Sequence, residues 1–384
     1  MIGSGTQYYH PELVRLAFVL GIVVSIFFYE RRHLTTGGIA VPGYLGFVIF
    51  QPLIVPAIFA ASWLTYVIIH NGLSRIVLVP DAAKFSLAIL TSSALHFIAD
   101  FGLVASGAVL ESSPLLRGIG YVVPGLIAHD FARHGIRGTS YNIGVCTALV
   151  AAVLAAVVFA MPELGRLQTS PVMDVFPIPL GHLPLLIFVS LIAWIGIVRI
   201  HGLRCGGFLG GAYLTLLVLQ PLELARFVIA AVMTLVIVRW ILTPGMILFG
   251  RRSFAAHMLV GATISWGMFR ISELHLEGDT ISVATPSLAV LGVLLTGLIS
   301  HDMDKAGVTR TLFGAFLSVA YTLCGTLLLL EAITHQRPEI VATFAVLFVG
   351  GTLLMALTPA RLSRILRRLS GKPSDPENGD KTHA

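Results

Sequence analysis

Of the 384 residues, 56% are apolar and only 11% charged, whereas an ordinary soluble domain carries roughly 25% charged residues. A soluble protein with one hydrophobic core is excluded by that balance. The net charge of +6 does not by itself point to an acidic partner, because membrane proteins gather Lys and Arg in cytoplasmic loops for topological reasons, and no nucleic-acid partner is expected.

Residues 1–12 carry no basic region and no small-residue cleavage site. The first apolar run, 13–29, is therefore expected to be kept as a helix rather than removed as a signal peptide. Further runs follow at 53–69, 141–160, 183–198, 311–330 and 340–357. Each approaches the ~20 residues that cross a bilayer as a helix. They lack the period-2 alternation of a barrel strand, so the predicted fold is all-α and polytopic, with every backbone group paired inside its own helix. Cys146, Cys205 and Cys324 have neither metal-ligand spacing nor the even count of a disulfide framework. They read as packing residues, and no metal or cofactor is expected.

The chain also matches itself. Gly37-Gly38, Tyr44 and Gln51-Pro52 fall on Gly206-Gly207, Tyr213 and Gln220-Pro221 at one constant offset, which also brings Phe85 onto Phe254. Three residues of drift later, Gly125-Leu126-Ile127 and His129-Asp130 meet Gly297-Leu298-Ile299 and His301-Asp302, with Gly135 on Gly307. Because these are uncommon residues in the same order, a tandem duplication is predicted. Unit one covers 1–160, a proline-rich linker with Pro162, Pro171, Pro177 and Pro179 covers 161–181, and unit two covers 182–335. A last helix at 336–358 and a tail at 359–384, basic and then polar, complete the expected organisation.

Basic residues set the expected orientation. Segments holding Arg31-Arg32, Arg75 with Lys84, Arg133 with Arg137, Arg199 with Arg204, Arg251-Arg252 and Lys305 with Arg310 alternate with segments poor in Lys and Arg. The positive-inside rule puts them in the cytoplasm, with the N-terminus outside and the C-terminus inside. Each unit then crosses six times, and an even number of crossings makes the two units parallel. The stretches 38–50 and 115–128 are short for a span and contain Gly and Pro. They are expected to be short or broken helices buried in protein.

The stretch Gly37-Gly-Ile-Ala-Val-Pro-Gly-Tyr44, followed by Gln51-Pro52, and the stretch Arg117-Gly118 through Pro124-Gly125 to Ile127 resemble the two signature stretches of the PgsC/CapC family, the membrane subunit of bacterial poly-γ-glutamate synthase. The likeness covers unit one almost end to end. In unit two, Pro42-Gly43 becomes Gly211-Ala212, Glu30 becomes Arg199 and Pro124 becomes Thr296. The resemblance implies a non-catalytic subunit in the bacterial cytoplasmic membrane. Its implied partners are a cytoplasmic Mur-ligase-like amide ligase, a further membrane-anchored synthase subunit and an anionic polymer. The chain has no glycine-rich phosphate loop and no Walker-type lysine, so ATP chemistry would belong to the ligase.

Several residues carry two readings. Gly37, Gly38, Pro42 and Gly43 either let helices pack closely or unwind one to line a path. His129-Asp130 and His301-Asp302 are either polar residues that satisfy backbone at a solvated helix end, or histidines oriented by carboxylates to move protons or hold a cation. Arg117 is either a snorkelling residue or an arginine fork for a carboxylate. Arg133, Arg137, Lys305 and Arg310 are the expected cytoplasmic contacts for a polyanion guided along a polar seam between the units. His96 and Asp100 stand i, i+4 on one helical face, where local pairing competes with a proton relay. The internal repeats and Gly/Pro-broken segments also fit an alternative, an independent secondary transporter of a small solute.

Overall fold

The computed structural model describes residues 7–8, 11–32, 35–49, 54–76, 81–105, 120–165, 168–169, 183–218, 220–275 and 286–334. The expected final helix at 336–358, the tail, most of the proline-rich linker, Gln51, Pro52, Arg117 and Gly118 lie outside the described residues.

The first half of the chain contains α1 (Pro11–Arg32), α2 (Val41–Val48), α3 (Ile54–Tyr66), α4 (Asp81–Ala105), α5 (Val123–His134) and α6 (Ile136–Ala160). The second half contains α7 (Leu183–Gly196), α8 (Gly207–Val218), α9 (Pro221–Val236), α10 (Arg251–His275), α11 (Pro286–Ala306) and α12 (Val308–Thr334). Helices α3, α7 and α9 each run on into a π-helical turn, at Val67–Leu73, Ile197–His201 and Ile237–Leu242. A two-residue antiparallel pairing joins β1 (Gln7–Tyr8) to β2 (Gln168–Thr169).

Five described segments are long and apolar enough to cross a bilayer: Glu12–Arg32, Ile54–Leu73, Ile136–Ala160, Pro221–Gly245 and Val308–Glu331. Helix α6 shows why they associate. Its buried residues Thr139, Asn142, Ile143, Cys146, Thr147, Val150 and Leu154 recur at steps of three and four, so they form one stripe along a 3.6-residue helix. Tyr141, Leu149, Val153 and Phe159 are exposed on the rest of its surface. In a membrane that surface meets lipid, and no hydrophobic force between helices is available, so the buried stripe associates through close packing of small and β-branched residues. Four buried hydroxyls are satisfied within their own helices: Ser62, Thr215, Thr234 and Thr296 donate to the carbonyl four residues earlier.

Helix α2, only 8 residues long, is buried at every position. It packs between α1 and α6, and α8 packs in the same way between α7 and α12. A second triad, α3 with α4 and α5, has its counterpart in α9 with α10 and α11. The halves meet where α1 packs against α10 and α11 and where α4 packs against α7. Since α7 corresponds to α1 and α10 to α4, the α4–α7 contact repeats the α1–α10 contact with the halves exchanged.

Candidate functional site

The site begins at the two Gly-Gly loops. Between α1 and α2 the chain turns with φ of 75° at Gly37 and 113° at Gly38, and before α8 it turns with 78° at Gly206 and 70° at Gly207. Such angles are costly for any residue with a Cβ. A Cβ on Gly206 would also lie 2.5 Å from the Ile299 side chain. The turn aims a backbone N–H at a carboxylate in each half: Gly37 donates to Asp130 Oδ2 at 2.8 Å, and Gly206 donates to Asp302 Oδ2 at 3.0 Å. Asp130 and Asp302 are 4% and 8% exposed.

The neighbouring histidines face elsewhere, because consecutive helical residues do not share a face. The His129 ring meets the edge of Phe85 with centroids 5.1 Å apart, and His301 meets Phe254 at the same distance. Each adjacent carboxylate therefore holds a loop, and each histidine packs on an aromatic ring. Both carboxylates accept from a backbone amide in a buried place, away from any solvated helix end. In the second half alone, His301 also packs against buried His257, at 5.3 Å between centroids.

Helices α1 and α10 run antiparallel, and charged pairs mark both ends of their seam. Arg252 Nε donates to Glu30 Oε1 at 2.6 Å, while its Nη2 meets the other carboxylate oxygen. At the opposite end Glu12 accepts from the fully buried Arg15 at 2.8 Å and lies 3.9 Å from Arg270. Glu12 to Glu30 and Arg252 to Arg270 are eighteen residues each, a rise of roughly 27 Å, close to the ~30 Å hydrocarbon thickness. From the sequence Glu30 stands out only as a position that becomes Arg199 in unit two, and Arg252 only as a cytoplasmic basic residue. The equal eighteen-residue spacing of opposite charges at helix ends is the signal that would have paired them.

A cavity of about 280 Å³ opens beside the Glu30–Arg252 pair. Three equivalent pairs from the two halves line it: Ala40 with Leu209, Phe85 with Phe254, and Leu126 with Leu298. It therefore sits where the two halves face each other. Its walls are mainly apolar, and Tyr29, Glu30, Arg251 and Arg252 stand at its charged side, with Arg251 4.6 Å above the Tyr29 ring.

The other sequence-selected residues fall around this frame. Gly38 lines the cavity. Pro42 and Gly43 are buried in α2, with Gly43 against Ala17 and Phe18 of α1. Tyr44 is buried beside Gly120. Pro124 and Gly125 open α5, and Gly125 lies against the backbone of α4. Arg133, Arg137, Lys305 and Arg310 are exposed at the tight α5–α6 and α11–α12 connections, which Gly135 and Gly307 turn with φ of 78° and 90°. They stand apart from the cavity lining. His96 bonds the Ser92 carbonyl at 3.0 Å and packs on Tyr121, while the side chain of Asp100 lies outside the described residues. Cys146 and Cys205 are buried and Cys324 is exposed. Among the described residues no three His, Cys, Asp or Glu side chains gather in a way that would hold a metal.

Fold and site together define a polytopic α-helical membrane protein whose two halves each carry a glycine loop held by a carboxylate, with a cavity between the halves. The sequence model described as "Capsule biosynthesis CapC" matches the chain twice, over residues 20–140 and 187–312. The chain belongs to this capsule biosynthesis family. It is similar to the PGA biosynthesis protein CapC of Bacillus subtilis (strain 168), 35% identical over 122 residues that cover 32% of this chain and 79% of the relative. It is likewise similar to the capsule biosynthesis protein CapC of Bacillus anthracis, 37% identical with the same coverage. No solved structure matches it.

Proposed function

We propose that this protein is the non-catalytic integral membrane subunit of a machine that makes and exports poly-γ-glutamate or a related anionic polymer. In this reading it anchors a cytoplasmic Mur-ligase-like amide ligase, works with a further membrane-anchored subunit and helps the growing chain cross the bacterial cytoplasmic membrane. The observation that carries the reading is the double family match, joined to two relatives named for PGA and capsule biosynthesis.

The proposed architecture is two parallel six-helix units, 1–160 and 182–335, joined by the linker 161–181, with the N-terminus outside and the C-terminus inside. Support comes from the clamp, the His–Phe contact and the glycine hairpin recurring in both halves. The α1–α10 and α4–α7 contacts, exchanged between the halves, give further support. A two-fold relation that keeps both units' basic ends on one side must have its axis along the membrane normal. Arg133 and Lys305 occupy equivalent positions on that side, exposed with Arg137 and Arg310. There they offer guanidinium and ammonium donors to a polyanion or to the ligase surface. The mainly apolar walls of the cavity between the halves leave these surface residues, and not the cavity, as the contacts for the polymer.

The test is affinity purification of the tagged chain from cells that express the whole gene cluster. Recovery of a Mur-ligase-like amide ligase, weakened by neutralising Arg133, Arg137, Lys305 and Arg310 together, is the expected result. Purification without any ligase, combined with uptake of a small solute by the chain alone in liposomes, would overturn the reading in favour of a transporter.

A further inference from the structure

From the cavity we infer a binding site for one anionic phospholipid, with a fatty acyl segment between the two halves and the phosphate at Arg251 and Arg252. The cavity runs from exposed Arg251 and Arg252 to Ala255, Met258, Leu294 and Leu295, all buried. From Arg251 to Met258 is seven residues along α10, a depth of roughly 10 Å. That is most of the ~15 Å half-thickness of a bilayer core. An apolar pocket of this depth, at the end of a transmembrane seam, matches the first part of a lipid tail entering from the adjacent leaflet.

The lining excludes the alternative of a polyanion threading the same space. A polymer with a carboxylate on every repeat would lose its hydration against Phe85, Phe254, Leu126, Leu209 and Leu298 and gain few donors in return, the hydroxyls of Ser25, Thr35 and Thr36. Hydrocarbon suffers no such penalty. At the charged side, two arginines face one carboxylate, Glu30. A single phosphate completes that balance, and the planar guanidinium fork suits its oxygens.

The arginines are not a by-product of the repeat. Phe85 and Phe254, Leu126 and Leu298, and Ala40 and Leu209 are equivalent residues lining the same cavity. The positions equivalent to Arg251 and Arg252 are Ala82 and Ala83, and the position equivalent to Glu30 is Arg199. A mainly apolar chamber, to which both halves contribute, thus has one charged side, which is the arrangement needed to take a single amphipathic molecule in one orientation.

The experiment uses the full chain, purified in mild detergent and incubated with dioleoyl-phosphatidylglycerol or dioleoyl-phosphatidylcholine, with retained lipid read by native mass spectrometry. The expected result is one molecule of the anionic lipid retained with about tenfold preference, equivalent to ~1.4 kcal/mol. Arg251→Gln should bring the two lipids to near parity. Ala40→Leu, which inserts the residue that the second half carries at the equivalent place, should lower retention of both lipids, as should Leu298→Trp. Ala40→Leu keeps the test valid if the tryptophan variant does not fold. Equal retention of the two lipids by the unaltered chain would overturn the inference. So would a phosphatidylglycerol preference that survives Ala40→Leu and Leu298→Trp undiminished, because the headgroup would then be held without the cavity.

Discussion

Replacing Asp130 by alanine removes the acceptor of the Gly37 N–H, a 2.8 Å bond to a carboxylate that is 4% exposed. A hydrogen bond to a charged group contributes about 1.5–3 kcal/mol net, and a buried donor left without an acceptor costs about 1–3 kcal/mol. The loop cannot rotate its amide toward water, because Gly37 and Gly38 are fixed at positive φ between α1 and α2 and packed on Ile127 and Leu126. The expected loss is therefore about 2–3 kcal/mol, roughly a 30-fold or greater change in the folded-to-unfolded ratio. Asp130→Asn keeps an amide oxygen where Oδ2 stood, so it should lose only the charge assistance, about 1 kcal/mol. Asp302→Ala should behave like Asp130→Ala, since Arg204, 3.5 Å from Asp302 and half-exposed, can turn to solvent. The assay is equilibrium unfolding of the full chain in mixed micelles. A stability of Asp130→Ala within ~0.5 kcal/mol of the unaltered chain, or an asparagine variant as unstable as the alanine one, would refute the clamp.

Gly125→Ala should destabilise by about 1–3 kcal/mol, because its Cβ would lie 2.6 Å from Ile89 Cα and 2.7 Å from the Ala88 carbonyl oxygen; Gly138→Ala, with nothing within 4 Å, should be neutral or stabilising by up to ~1 kcal/mol in the same unfolding assay. A double-mutant cycle on Glu30 and Arg252 should give a small favourable coupling that shrinks with added salt, since both side chains are partly exposed; the exchange Glu30→Arg with Arg252→Glu should restore most of it. With Cys324 changed to serine, cysteines introduced at Arg133 and Arg270 should react with an impermeant maleimide from opposite sides of the membrane. Reaction of both from one side would contradict the proposed topology.

Much of the fold could be read from the sequence because its cues are local or repeated. The Gly-Gly, Tyr and His-Asp matches fall on residues that make like contacts in the two halves. The short stretch at 38–50 was legible as a broken segment, and α2 is a buried helix of 8 residues within it. The role of Asp130 was not legible. Its partner lies 93 residues away, and the adjacent histidine invites a pairing that helical geometry forbids. The Glu30–Arg252 pair, 222 residues apart, was hidden for the same reason, and because α10 carries too many polar residues to stand out as a span. Between the halves lies a mainly apolar cavity with charge at one side. Residue types along one helix do not show which of them will face a helix of the other half.

The most direct test of the account is the amount of anionic polymer on the cell surface when this gene is deleted and the ligase and remaining subunit are left intact. The account predicts that surface polymer is lost and returns when the full chain is supplied in trans. Surface polymer at the level of the undeleted strain would contradict it.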